Sequence, residues 1–405
     1  MTRIVTHRDR RIQEALWEKL GNEARCLMER LLNRMMDRER MAFLGCVPYE
    51  RTKFRQGRRN GYETRRIDSQ SGCLALRVPR VREAKGSFRP VALEAWQRRE
   101  RKLERCVMDW VASGMSTRAV SREMQRAFGA ILSAATVSNI VAQVDAEMAA
   151  FQARPIQRGY RYIYLDGKYG KVSQPRRRGR GRGRAKKSVL LLAWGIRHDG
   201  REELIDFRVA PDESEASWDA FLQCLRQRGL TEQNRWAERL ERIISDGAGG
   251  IAAALALNYP ETPHQVCVFH KVKNILGDLN DTSCKGRIQS EAGRIFEART
   301  RAEALARLER WKRRWERTEP LAVGHFVRDM DRMLLFYESP RHLRRRLKTS
   351  NPIERFIREL DRKFERVGVF PSVRSWERMT YLVYRQLLES GYRPTQPNSN
   401  FTRTS

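Results

Sequence analysis

An α/β fold is predicted for the second half of this 405-residue chain, with a mixed sheet as its core, an all-helical insertion inside that core and helical modules ahead of it. Three observations lead there. Strand-like runs and helical periodicity alternate between residues 160 and 268, and amphipathic helical spacing fills the flanking segments. A hydrophobic content of 40%, with 9 Trp, 11 Tyr and 15 Phe, supplies the apolar side chains for a substantial core.

Residues 9–44 repeat apolar positions (Ile12, Leu16, Leu20, Leu27, Leu31, Leu32, Met35) among charged ones, the pattern of one or two amphipathic helices that pack or dimerise. Over 51–82 short alternating stretches are broken by Gly57, Gly61 and Gly72 and end in LALRVPRVR, which predicts a small basic hairpin, either touching DNA backbone or serving as a solvated linker. Helical periodicity returns over 100–148. There Ser116 can cap a helix with Ala119, Val120, Met124 and Phe128 inside and Gly129 as its stop. Ser133 can cap a second helix with Val137, Ile140, Val141 and Val144 inside, giving helix-turn-helix spacing. Arg118, Arg122 and Arg126 recur on the exposed face of the first helix, suited to phosphates, while Thr136, Ser138 and Asn139 fall where a recognition helix meets base edges. Any helical hairpin shares this spacing, so the DNA reading leans on the charge of the whole chain.

After Pro155 the strands begin. YRYIYLDGKYGKV alternates Tyr160, Tyr162 and Tyr164 with Arg161, Ile163 and Leu165; SVLLLAWGI is a continuous apolar run; REELIDFRVAP follows across a His198-Asp199-Gly200 turn. A helix over 214–228, a strand over 242–245, a helix over 248–257 and a strand over 264–268 complete the order. Three antiparallel strands, helix, strand, helix, strand is the ribonuclease H arrangement. Charged helix occupies 285–345 and reads as an insertion, after which a helix over 350–368, with Ile353, Phe356, Ile357, Leu360 and Phe364 on one stripe, returns to the sheet. The expected divisions are N-terminal helices over 1–48, the hairpin module over 49–98, a helix-turn-helix domain over 99–150, a ribonuclease H-like core over 155–280 and 346–392 with its insertion over 281–345, and a disordered tail over 393–405.

A formal net charge of +32 and a pI near 10.7 call for a polyanionic partner, and nucleic acid is the obvious one. Arginine supplies most of that charge, favouring bidentate phosphate contacts. A ribosomal-type binding protein shares the charge but not the aromatic content. The cysteines, at 26, 46, 73, 106, 224, 267 and 284, are odd in number and lack CxxC pairs, which speaks against a disulfide framework or a four-cysteine zinc site. The N-terminus lacks a signal-peptide apolar region, and no window holds the ~20 apolar residues of a membrane span, so a soluble intracellular protein is expected.

Asp166 in YIYLDGKYG and Asp246 in RIISDGAGG close apolar strands, where ligands bind in α/β folds and where a buried carboxylate requires a compensating charge such as a metal. Asp-Gly is also a common turn dipeptide, so the pair on neighbouring strands carries the reading rather than either residue alone. Phosphoryl transfer of this kind requires a third carboxylate, because two divalent ions roughly 3.5–4 Å apart must be held on hard oxygen ligands. Glu354, Asp361 and Glu365 share one edge of the last helix, and spacing does not choose among them. Asn351-Pro352-Ile353-Glu354 also reads as a helix cap, a rival account of the glutamate.

The segments YIYLDGKYGKV, APDESEASWDAFLQCLRQRGL, ISDGAGGIAAAL, CVFHKVKNIL and SNPIERFIRELDRKFERVGVFPS, with LRVPRVRE and GMSTRAVSREM upstream, resemble prokaryotic Mutator-type insertion-sequence transposases over roughly residues 50–390. The resemblance implies an Asp-Asp-Glu catalytic triad at Asp166, Asp246 and Glu354 holding two Mg2+ ions, with Mn2+ as a substitute, and makes Asn351 and Arg355 of the Asn-x-Ile-Glu-Arg motif supporting residues. It implies a DNA transposase that binds terminal inverted repeats, cleaves at the element ends and joins 3′-hydroxyls to target DNA. The implied partners are double-stranded DNA and further copies of the chain, a homodimer or higher oligomer, in the bacterial cytoplasm at the nucleoid and away from membrane. Rival functions are a nuclease of the same core without strand transfer, and an inactive transposase-derived DNA-binding regulator.

Cys267 and His270 match the Cys-x-x-His that the family carries after its second aspartate. They form half a zinc site at most, so a supporting role is expected, with His270 contacting the scissile phosphate or orienting a metal ligand and Cys267 a small buried residue. Trp218 would stack on a flipped base or pack in the core. PRRRGRGRGRAKK, more basic than the family's usual hairpin, is expected to be a flexible loop in which Arg176, Arg177, Arg178 and Arg180 clamp phosphates or remain solvated.

Overall fold

The computed structural model describes residues 7–390 apart from 70, 85, 95–100, 130–131, 158, 175–183, 234–237 and 350. Two compact units divide the chain after Gln143. In the first, α1 (His7–Leu44) is one unbroken helix, followed by the antiparallel hairpin β1 (Arg58–Ser69) and β2 (Gly72–Arg82) and the short α2 (Val91–Glu94). Leu32 and Met36 of α1 pack on Ile67, Leu74 and Leu76 of the hairpin. Glu29 and Asn33 of α1 accept hydrogen bonds from the Ala75 and Arg77 amides at 2.7 and 2.8 Å, covering an otherwise bare strand edge.

Three helices complete this unit: α3 (Arg101–Ala112), α4 (Thr117–Phe128) and α5 (Ala134–Ala142). Ser116 accepts from the Ala119 amide, Gly129 closes α4 with φ of 63°, and Ser133 accepts from the Thr136 amide, so the caps lie where the hydroxyls and the glycine direct them. Val120 and Met124 of α4 and Val137, Ile140 and Val141 of α5 are buried. Val144, expected in the same helix, instead begins α6 (Val144–Ala153) of the second unit.

The second unit is mixed α/β around a five-stranded sheet of order β5-β4-β3-β6-β7. The long strands β3 (Tyr160–Gln174), β4 (Arg184–Arg197) and β5 (Glu202–Ala210) pair antiparallel. The short β6 (Arg242–Ser245) and β7 (His264–Val266) run parallel to β3 and to each other, reached through α7 (Glu215–Gln227) and α8 (Gly249–Asn258). On one face Ile163, Leu165 and Leu191 pack with Trp218 and Phe221 of α7 and Ile251 of α8. On the other, Tyr162, Tyr164, Leu192 and Trp194 meet the remaining helices. Alternation places Tyr160 beside Tyr162 and Tyr164, but an irregularity in the β3 register between Tyr160 and Tyr162 turns it to the α7 face.

After β7 come α9 (Val268–Asn274), then the helical stretch α10 (Lys285–Ile295), α11 (Arg301–Trp315), α12 (Pro320–Arg328), α13 (Met330–Met333) and α14 (Arg341–Leu347). The chain returns to the sheet as α15 (Asn351–Val367), with Ile353, Phe356, Leu360 and Phe364 buried. A further helix that periodicity does not single out, α16 (Val373–Glu389), buries Trp376, Met379 and Val383. Asp145 of α6 binds both Arg374 and Arg378 of α16, which ties the unit's first helix to its last. No helix among the described residues is long and apolar enough to cross a membrane.

Candidate active site

Strand register brings the two aspartates together. Tyr162 pairs with Arg242 and Tyr164 with Ile244 in the parallel β3–β6 ladder, so two more residues along each chain put Asp166 beside Asp246. The β6–β7 ladder pairs Ser245 with Val266, and the Cys267 amide donates to the Ser245 carbonyl at 2.7 Å. Asp166, Asp246 and Cys267 therefore stand in a row at the C-terminal ends of three parallel segments, the edge where α/β sheets bind ligands. Asp166 does not end its strand as expected. β3 runs on to Gln174 against β4, while its parallel pairing with β6 stops at Tyr164 and opens the sheet at the aspartate.

Local geometry fixes the second aspartate. Gly247 adopts φ of +79°, and an added methyl there would stand 2.8 Å from a Val266 methyl, so only glycine makes this turn. The Asp246 carboxylate accepts from the Ala248 amide at 3.0 Å. Ser245 Oγ, just before it in the chain, meets His264 Nε2 at 2.7 Å and accepts from the Gly247 amide at 3.1 Å. Burial, with the Arg332 guanidinium adding to it, pushes the His264 imidazole down to about 3, so at neutral pH it is an uncharged part of this scaffold.

The electrostatics are those of crowded acids. Asp166 accepts from the Gly167 amide at 2.8 Å, yet its carboxyl is pushed up to about 7, first by desolvation and then by the negative charges of Asp246 and Glu213, against the pull of His270. The His270 imidazole is pushed up to about 9, led by its hydrogen bond to Cys267 and helped by Asp166 and Asp246. Its Nδ1 is buried without a hydrogen-bond partner, and Cys267 is fully buried. His270 lies in the first turn of α9, whose Lys271 is paired with Asp329 and whose Val268 amide donates to the Lys348 carbonyl at 3.0 Å. Two adjacent carboxylates, the first of them desolvated, are a donor set of hard oxygens that fits Mg2+ or Mn2+.

Helix α15 approaches the same face. Its Phe356 stacks on Trp194 at 5.8 Å between ring centroids, and its Asp361 pairs with Lys168 of β3 at 2.6 Å. Lys168 shares a face of β3 with Asp166. Glu354, half-buried, lies two turns before Asp361 on the same edge of α15 and is turned to the same side of the sheet. Asn351 opens the helix, its side chain outside the described residues, and Arg355 is exposed. Among the described residues no three His, Cys, Asp or Glu side chains are grouped closely enough to hold a metal ion.

One residue of this site lies within the APDESEASW segment without being singled out there. Glu213, just before α7, raises the Asp166 carboxyl and is itself raised, chiefly by burial and then by Asp246, against a hydrogen bond from Tyr169. Its trace in the sequence is Gly167, whose position inside a strand signals a close approach by another group. Trp218 requires a correction: only 2% exposed and packed on Phe221, it is a core residue and cannot stack on a base, because α7 turns its apolar stripe to the sheet. In the first unit Arg118, Arg122, Arg126, Ser138 and Asn139 are exposed, whereas the Thr136 hydroxyl is engaged with Ser133 at 2.9 Å. Arg176, Arg177, Arg178 and Arg180 lie outside the described residues.

A family model described as "Transposase, Mutator family" matches residues 5–391. The chain is 31% identical over 359 residues to the transposase for insertion sequence element IS406 of Burkholderia multivorans, covering 88% of each protein. It is 31% identical over 355 residues to that for ISRM5 of Rhizobium meliloti, covering 88% of this chain and 84% of the relative. Against the transposase for IS905 of Lactococcus lactis the identity is 28% over 360 residues, with 89% and 87% covered.

Proposed function

The chain belongs to the Mutator family of transposases, and on that premise we propose that it cuts and rejoins the ends of an insertion sequence with Asp166, Asp246 and Glu354. It is a DNA transposase; the assignment of its chemistry to these residues is what the register of β3 and β6 supports, since that register sets the two aspartates side by side. The strand order, with three antiparallel strands followed by two parallel ones reached through helices, supports a ribonuclease H-like core carrying a helical insertion between α9 and α15.

Asp166 and Asp246 would hold the divalent cations, with Glu354 brought in from α15. Bound Mg2+ or Mn2+ supplies activation of water, then of a freed 3′-hydroxyl, and stabilisation of the leaving oxygen. The chain's own work is positional. β3 and β6 hold the carboxylates in register, Gly247 and Ala248 fix the second of them, and Cys267 orients His270, whose cationic ring faces the acids and can meet the scissile phosphate. Asn351 and Arg355 flank Glu354 and support it. Arg118, Arg122 and Arg126 bind phosphates of the inverted repeats while Ser138 and Asn139 address base edges, with Thr136 restrained by its cap. Joining two ends in one reaction calls for at least two copies of the chain.

The test offers a labelled 3′-hydroxyl element end together with a target plasmid and Mg2+. Joined product is expected, and it should fall at least ~10³-fold on Asp166→Asn, Asp246→Asn or Glu354→Gln without loss of end binding. Cleavage without joining would replace this reading by a nuclease, and end binding without either reaction would replace it by a regulator. Activity retained in Glu354→Gln would remove that glutamate from the site.

A further inference from the structure

Glu213 belongs to a turn that otherwise faces solvent. Residues 211, 212, 214, 215 and 216 are exposed, and Glu213 alone is turned inward. Two bare backbones receive it. A methyl carbon added at Gly167 would overlap the Glu213 carboxylate and stand 2.7 Å from its Cδ. One added at Gly250 would stand 2.9 Å from the Glu215 nitrogen and 3.0 Å from the Ser214 carbonyl carbon. Gly167 follows Asp166 directly, and Gly250 lies in the first turn of α8, just after Asp246. Tyr169 fixes the remaining oxygen by donating its hydroxyl to Oε2 at 2.9 Å. The carboxylate thus rests on the segment that carries Asp166, the backbone of its turn rests on the segment that follows Asp246, and each seat is a residue without a Cβ.

Direction adds to placement. Asp166 and Lys168 face α15, whereas Gly167 and Tyr169 face α7, so Glu213 reaches the aspartates from the side opposite Glu354. Two divalent ions carry four positive charges, one more than a triad of carboxylates neutralises. We propose that Glu213 is a fourth carboxylate of the cation site, serving the α7 side as Glu354 serves the α15 side; this inference rests on the assignment of Asp166 and Asp246 as cation ligands.

The test measures Mn2+ binding to the full-length protein without DNA, from the electron paramagnetic resonance signal of free Mn2+, with a thermal melt of each variant as the folding control. Glu213→Gln, close in shape to the original, is expected to weaken Mn2+ binding at least ~10-fold or remove one of two ions, and Glu213→Asp to restore most of it. Gly167→Ala should reproduce the defect by displacing the carboxylate. Mn2+ binding unchanged in Glu213→Gln but lost in Asp166→Asn would overturn the role of Glu213 and leave the aspartates in place. Mn2+ binding unchanged in Asp166→Asn would remove the premise as well.

Discussion

Asp166 makes stability depend on pH in a direction opposite to that of a carboxylate held by a cationic partner, such as Asp145 beside Arg378. The Asp166 carboxyl is pushed up from 3.8 to about 7 in the folded chain, first by burial, so the folded state holds the proton more tightly than the unfolded one. That contribution is fully present below about pH 4 and is lost as pH rises through 7. Asp166→Asn keeps a neutral group there at every pH. In a chelator it should be more stable than the unmodified chain at pH 8 by roughly 2–4 kcal/mol, the gap closing toward pH 4. Equal gaps by urea denaturation at pH 8 and pH 4 would contradict this origin. Cation binding runs the other way and should weaken as pH falls below about 7, since the ion competes with the proton. Gly247→Ala is a second residue-scale case. With φ of +79° and a Val266 methyl 2.8 Å from the added carbon, it should destabilise the second unit by about 1–3 kcal/mol, read from the same denaturation curves.

At the scale of elements, α4 and α5 hold their ends by side-chain caps and present their polar faces outward, which separates stability from DNA binding. Ser116→Ala should cost about 1 kcal/mol of stability with little change in DNA affinity. Replacing Arg118, Arg122 and Arg126 by alanine should leave stability nearly unchanged. The slope of log affinity against log salt for a terminal-repeat duplex should flatten by about 0.9 for each phosphate that an arginine no longer neutralises. An unchanged slope would take α4 off the DNA. The elements legible in the sequence are those written in local chemistry: the serine caps at 116 and 133, the helix that begins at 214 and the strand Arg242–Ser245. Those not legible depend on distant partners. The alternation of Tyr160, Tyr162 and Tyr164 suggests one face, and only the pairing of β3 with β4 reveals the slip that turns Tyr160 over. Trp218 looks equally suited to a base or a core until α7 is docked on the sheet. Glu213 does not stand out from its neighbours in APDESEASW because the group that receives it is a glycine 46 positions away, Gly167, which reads by itself as half of a turn dipeptide.

For the whole molecule, the charge of +32 and the apolar surface of α1 act in opposite directions on the pairing of copies. Leu32 and Met36 hold α1 to the hairpin, while Leu16, Leu20, Leu27, Leu31 and Met35 are each about half exposed between residues 16 and 35. A stripe of that length on a charged helix suits a second helix of the same kind. Two copies without DNA must bring like charges together, and that repulsion opposes the pairing until phosphates neutralise it. A two-fold pairing of copies through α1 is therefore expected on end DNA and is expected to weaken when DNA is withheld at low salt. Changing Leu20 and Leu27 to glutamate puts charge into the stripe without touching the buried side of the helix. The variant should bind a single terminal repeat with normal affinity, sediment with one copy per duplex where the unmodified chain carries two, and lose the products that join paired ends while retaining nicking at one end. If its sedimentation and joined products match those of the unmodified chain, α1 does not hold the copies together and the pairing of ends rests on another surface.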